Sequence, residues 1–140
     1  MSRYIRLSHA IWYCNYHIVW VPKYKFRILK DGVKAEVEEM IRMYSEQLEC
    51  RIEELNIQED HVHLVVMIPP KIAVSKYIGT IKGRCAMRLF TKLPRLKKRY
   101  WGNHFWARGY CCDTIGLDLE KIRKYVQYQE DIEKQLEVRS

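Results

Sequence analysis

The sequence has no Cys-x-x-C pair, no Gly-rich phosphate loop, no internal repeat, no Gly/Ser linker and no apolar run of membrane-spanning length. Each absence removes a class. The cysteines, Cys14, Cys50, Cys85, Cys111 and Cys112, are odd in number and lack paired spacing, so neither a disulfide framework nor a cysteine zinc site is expected. They read as small buried hydrophobes in a reducing compartment. Without a phosphate-cradling loop, no nucleotide cofactor is expected. Without a long apolar run, no membrane helix is expected. The opening Met1-Ser2-Arg3-Tyr4-Ile5-Arg6 lacks the apolar stretch of a signal peptide, so the expected location is the cytoplasm. Nothing in the composition divides the chain, and a single domain over residues 1–140 is expected.

What is present is ordinary for a folded protein in all but charge. The hydrophobic fraction is 48% and the charged fraction 30%. Basic residues outnumber acidic ones 25 to 17, for a net charge of +8. That excess favours a polyanionic partner such as nucleic acid.

The aromatic and β-branched run from Ile11 to Val21 predicts a strand, ended by Pro22. Asp31-Gly32 is a turn signal. Val33, Val37, Met40, Ile41, Tyr44 and Leu48 have helical spacing, which predicts a helix over Val33–Glu49. Strands are expected at Arg51–Gln58 and at His61–Ile68, the latter stopped by Pro69-Pro70. A second helix is expected over Val74–Phe90, with Ser75 as its cap. Thr91–Asn103 reads as a basic connection, Phe105–Thr114 as a fourth strand, and Leu117–Val138 as a last helix. The order β-α-β-β-α-β plus one helix predicts an α+β fold. It is the ferredoxin-like arrangement, an antiparallel sheet with two helices on one face, also found in RRM modules. The core spans about 8–114 and the extra helix about 117–138. A fold of this kind names no function.

His61 and His63 stand two apart on a strand and therefore project from one face, while Val62, Leu64, Val66 and Ile68 point into the core. Two neutral imidazoles side by side make a half-site for a divalent metal. Asp60 either orients one of them from behind or makes the turn. Alone, such a pair is more often just two half-exposed strand histidines, and it needs a partner elsewhere in the chain. On the last helix, Tyr125 and Gln129 are one turn apart. A phenol can act as a nucleophile when activated. A glutamine carbonyl beside it can give a hard third ligand, which suits Mg2+ or Mn2+. Ordinary helix surface explains the two residues equally well. Tyr128 is a rival nucleophile, but its neighbour one turn on is Ile132, which cannot bind a metal.

These residues, taken in order, resemble a known family: the single-tyrosine HUH transposases (TnpA type) of small insertion sequences that move as single-stranded DNA. The triplet His61-Val62-His63 matches its name. The run Asn15-Tyr16-His17-Ile18-Val19-Trp20-Val21-Pro22-Lys23-Tyr24 looks like the family's opening strand. Asp60-His61-Val62-His63-Leu64 followed by Pro69-Pro70 resembles its metal strand. Ser75 with Ile81-Lys82-Gly83-Arg84 resembles its second helix. Phe105-Trp106-Ala107-Arg108-Gly109-Tyr110 resembles the block before its final helix. Tyr125-x-x-x-Gln129 matches nucleophile and third ligand. The resemblance implies Tyr125 as catalytic nucleophile and a 5′-phosphotyrosine intermediate. It further implies Mg2+ or Mn2+ held by His61, His63 and Gln129, and a substrate of single-stranded DNA bearing hairpins. It implies a homodimer whose active site is shared between subunits, with Gly116 placed as a hinge before the tyrosine helix.

The basic residues fall into three clusters: Lys82, Arg84 and Arg88 on the second helix; Arg95, Lys97, Lys98 and Arg99 after it; and Lys23, Lys25 and Arg27. Cations that track phosphates beside rings that stack on bases are expected of a single-strand binder. The aromatics Tyr100, Trp101, Phe105 and Trp106 serve equally as core or as DNA contacts. Two other functions stay open. One is a relative with the same chemistry that processes chromosomal repeats or initiates replication. The other is a non-catalytic RNA-binding module of the same fold.

Overall fold

A computed structural model of the chain describes residues 5–7, 10–12, 14–99, 104–115 and 135. Strands β1 (Ile5–Leu7) and β2 (Ala10–Trp12) form a small antiparallel pair. Then come β3 (Asn15–Trp20), α1 (Asp31–Gln47), β4 (Arg51–Gln58), β5 (His61–Met67), α2 (Val74–Lys92), α3 (Arg95–Arg99) and β6 (Cys111–Ile115). The main sheet has the order β4-β5-β3-β6 and is antiparallel throughout. Numbered along the core, that order is second-third-first-fourth, the ferredoxin-like arrangement that the order of elements predicts.

Alternation along the strands sorts the sheet into two faces. Ile18 and Trp20 of β3 and Val62, Leu64 and Val66 of β5 are buried against Val33, Val37, Met40 and Ile41 of α1 and Tyr77, Ile78, Ile81, Cys85 and Leu89 of α2. Strand β4 joins this core by an irregularity. Ile52 pairs with Val66 and Glu54 with Val65, so Glu53 is an extra residue between them. A bulge resets the alternation by one residue. Ile52, Leu55 and Ile57, spaced three and then two, consequently all stand opposite core residues of β5. Between the helices, the buried hydroxyls of Ser45 and Tyr77 meet at 2.7 Å, so each satisfies the other.

Five boundaries differ from the sequence expectation. The first strand is interrupted: β2 ends at Trp12 and β3 begins at Asn15. Asp31-Gly32 opens α1 rather than preceding it. Ser75 does not cap α2; the cap position is Ala73, without a side-chain hydrogen bond. The basic connection contains the short helix α3, anchored by buried Leu96. The fourth strand starts only at Cys111, because residues 105–107 are bonded to the chain around Pro22 instead. Lys23 N–H donates to Phe105 O at 2.9 Å and Ala107 N–H to Val21 O at 3.0 Å. Phe105 and Trp106 are core, with the Trp106 indole N–H donating to Lys82 O at 3.1 Å. Of the expected helix over 117–138, only residue 135 is among the described residues, and it is helical.

Helix α1 ends in a Schellman-type turn. Cys50 N–H donates to Ser45 O at 2.8 Å and Glu49 N–H to Glu46 O at 3.0 Å. Glu49 takes the left-handed position this turn requires, with φ at 59°. A side chain there costs about 1 kcal/mol relative to glycine. Its ion pair with Lys71, at 2.9 Å, is exposed on both sides and contributes little. Glu49→Gly should therefore stabilise the fold by about 1 kcal/mol, less glycine's own chain entropy. The measurement is the urea midpoint, and a lower midpoint would contradict this reading of the turn.

Candidate active site

Because Val62, Leu64 and Val66 are locked in the core, the other face of β5 carries His61, His63, Val65 and Met67. Across β4, His61 stands opposite Gln58 and His63 opposite Asn56. Across β3, His63 stands opposite Val19 and Val65 opposite His17. At the centre of the sheet this second face carries three imidazoles, set among Val19 and the buried Val65 and Met67.

His61 Nδ1 and Asp60 Oδ1 are 2.8 Å apart. Asp60 therefore does more than turn the chain: it receives the Nδ1–H of His61 and leaves Nε2 as that ring's accepting nitrogen. The same hydrogen bond holds the Asp60 carboxyl below its usual pKa. His63 is shifted down from the ordinary histidine value, first by desolvation and then by His17, against a smaller opposing pull from Glu54. A histidine shifted down is neutral at physiological pH and has a lone pair to offer.

The sequence reading passed over His17. Its Nε2 meets the Nε2 of His63, and the two rings lie with centroids 4.1 Å apart at 64°. The signal for it was the alternation of β3, since burying Ile18 and Trp20 turns His17 to the same side as the histidine pair. On the far side His17 stands opposite Asp113 of β6. Among the described residues, no three His, Cys, Asp or Glu side chains are already gathered to hold a metal. Tyr125, Gln129 and Gly116 lie outside the described residues.

The basic clusters do not form one surface. Lys82 donates to Ala107 O at 2.9 Å and to Gly109 O at 2.8 Å, so two of its N–H groups pin the 104–110 segment to α2. Arg84 points the other way, its guanidinium 5.2 Å from the centre of the Tyr44 ring, and Arg88 follows one turn on. Helix α3 divides its charges. Lys97 lines a groove of about 530 Å³ with Lys82, Met87, His104, Trp106 and Arg108. Arg95 and Lys98 line a second cleft with Lys30 and Asp31. Arg99 ends α3. Lys23 and Lys25 flank Tyr24, which is 74% exposed, and Arg27 lies 3.8 Å from Glu59.

The Lys82 ammonium adds two side-chain hydrogen bonds to the anchors of the chain that leads into β6. Lys82→Ala should cost about 2 kcal/mol of stability, as expected for lost charge-assisted hydrogen bonds. Lys97→Ala should cost less than about 0.5 kcal/mol. Denaturant midpoints of the two variants decide it, and equal midpoints would remove Lys82 from this structural role.

The chain is similar to several known proteins. The family described as "Transposase IS200 like" matches residues 10–129. The transposase for insertion sequence element IS200 of Salmonella typhimurium is 37% identical over 123 residues, covering 88% of this chain and 81% of the relative. The ISDra2 transposase TnpA of Deinococcus radiodurans is 29% identical over 124 residues, covering 88% and 89%. A solved candidate transposase from Deinococcus radiodurans R1 superposes with a TM-score of 0.71 at 26% identity, covering 91% of this chain and 97% of that one. A REP-associated tyrosine transposase solved on a REP hairpin gives 0.58 at 15% identity, covering 91% and 70%.

Proposed function

The chain belongs to the IS200-like transposase family, and from that premise we propose that it cuts and rejoins single-stranded DNA at insertion-sequence ends through a covalent 5′-phosphotyrosine on Tyr125. Its general activity is DNA transposition. The observation that carries the finer reading is the sheet face on which His61 is oriented by Asp60 and His63 stays neutral. That donor set suits a divalent cation: one imidazole is fixed from behind by a carboxylate, and its neighbour meets a third imidazole, that of His17, at Nε2.

The Tyr125 oxygen attacks a backbone phosphorus. The phosphorus–3′-oxygen bond breaks, and the departing oxygen takes up the phenol's proton as a 3′-hydroxyl. A 3′-hydroxyl from a second end then attacks the phosphotyrosine, restores a phosphodiester and frees the phenol. One ester replaces another, so no nucleotide cofactor is consumed. Mg2+ or Mn2+ held by His61, His63 and Gln129 would draw charge from the scissile phosphate.

Arg84, Arg88, Arg95, Lys97, Lys98, Arg99, Lys23, Lys25 and Arg27 supply phosphate contacts, and Lys82 has one N–H left for the same use. The hairpin held by the REP-associated neighbour suits a single-stranded substrate that carries hairpins. The enzyme works on DNA in the cytoplasm. Among the described residues no helix is long and apolar enough to cross a membrane.

Incubating the protein with an end-labelled single-stranded element terminus and Mn2+ should yield a covalent protein–DNA adduct. Tyr125→Phe should abolish the adduct. The double variant His61→Ala/His63→Ala should abolish it too, while DNA affinity changes less than about threefold, under about 1 kcal/mol. An adduct of undiminished yield from either variant rules out the chemistry proposed here.

Holding two ends at once calls for two active sites in one particle. The proposed particle is a homodimer in which Gly116 lets the helix bearing Tyr125 reach the histidines of the other chain. Mixing Tyr125→Phe chains with His61→Ala/His63→Ala chains should restore adduct formation, because each mixed dimer contains one intact site. Mixed dimers that stay inactive would return the tyrosine to its own chain's histidines.

A further inference from the structure

We infer that His17 is a third imidazole ligand of the cation site formed by His61 and His63, and that it tunes the site toward Mn2+ and the later divalent metals over Mg2+. The inference rests on the metal-dependent reading above.

Three independent features place it there. His17 is on β3, a central strand of the sheet, where Ile18 and Trp20 are fully committed to the core and leave it no choice of face. The register sets it diagonally from His63, opposite Val65. Its Nε2, the ring atom farthest from the backbone, faces the Nε2 of His63. Facing imidazole nitrogens are satisfied in two ways: one carries a proton and donates it, or both give their lone pairs to one cation. On a face next to His61, whose Nδ1 is bonded to Asp60, the second solution uses all three rings. A cation here would be held by the Nε2 atoms of His17 and His63 in place of their mutual contact, with His61, on the same strand as His63, as the third imidazole.

The donor type determines the preference. Affinity for imidazole rises from Mn2+ through Co2+ to Ni2+, while Mg2+ prefers oxygen ligands and retained water. Each further nitrogen ligand therefore widens the gap between Ni2+ and Mg2+. A residue that only props up His63 would leave that gap unchanged.

The test measures metal binding directly on the intact protein, without DNA. Titration calorimetry with Mn2+, Ni2+ and Mg2+ on the wild type and on His17→Ala should show Mn2+ affinity falling about tenfold to a hundredfold. The Ni2+ affinity should fall further than the Mn2+ affinity, and Mg2+ affinity should barely change. Pulsed EPR of bound Mn2+ should count one fewer coupled imidazole nitrogen in His17→Ala and in His17→Gln. As a check that needs no variant, Mn2+ should protect His17 of the wild type from carbethoxylation, read by peptide mass. An unchanged nitrogen count in a folded variant, unchanged or tighter Mn2+ binding, or a His17 modified at the same rate with and without metal overturns the ligand role. Wild-type protein that binds none of the three metals would fail the metal-dependent reading itself, whatever His17 does.

Discussion

Strand β5 is buried on one face by Val62, Leu64 and Val66, and that burial dictates where His61 and His63 stand. A strand cannot turn one side chain without turning its neighbours, because a slip of one residue would send three core side chains to the outside and two imidazoles into the core. Each of those apolar side chains contributes about 1.5–3 kcal/mol by leaving water. The histidine face is therefore held by the hydrophobic core behind it and needs no contacts of its own. The same holds on β3, where Ile18 and Trp20 fix His17.

The remaining strands complete the face by register. Antiparallel pairing puts Asn56 and Gln58 of β4 beside the histidines, and the bulge at Glu53 lets Ile52 share the core face with Leu55 and Ile57. Without the bulge, either Ile52 or the pair Leu55 and Ile57 would lie on the outer face. On the other edge, β6 is delivered by the segment that crosses Pro22, with Phe105 and Trp106 as its buried anchors and Lys82 as its ionic tie. A residue that reads in sequence as one of three phosphate-binding cations on a helix is thus first a structural one. Arg84 and Arg88, about 160° and about 120° around that helix from Lys82 by ordinary helical geometry of about 100° per residue, belong to a different surface.

The sheet and its two helices were legible because their signals are local. The period of Val33, Val37 and Met40, and the alternation of His61 to Ile68, need only neighbours a few residues away. What was not legible depends on distant pairing. His17 and His63 are 46 positions apart, and alternation gives the face of each without saying that their strands touch. The bulge at Glu53 exists only in relation to Val65 and Val66. The break between β2 and β3 divides an unbroken run of strand-forming residues, so propensity gave no sign of it. Helix α3 was concealed by its charge: four cations in five residues read as a solvated connection, although the fifth, Leu96, is buried and anchors the turn. The split of those cations between two clefts follows from the helical twist around that one leucine.

A face with two imidazoles in contact and a third tied to a carboxylate differs from a finished metal cage. Structural sites gather all their ligands in advance and close the coordination sphere. Here, among the described residues, no three metal-binding side chains are already gathered. On the reading proposed above, that openness is functional. An ion that must accept phosphate oxygens from a passing strand needs vacant positions and ligands that can yield. Histidines on a rigid sheet, with one ring held by Asp60 and the others free to part, provide fixed direction without saturation. The cost is a lower metal affinity in the absence of DNA, because the rings must separate before they can bind. It follows that metal and DNA should bind cooperatively: phosphate oxygens complete a coordination sphere that the protein alone leaves open, and by linkage the metal strengthens DNA binding by the same factor.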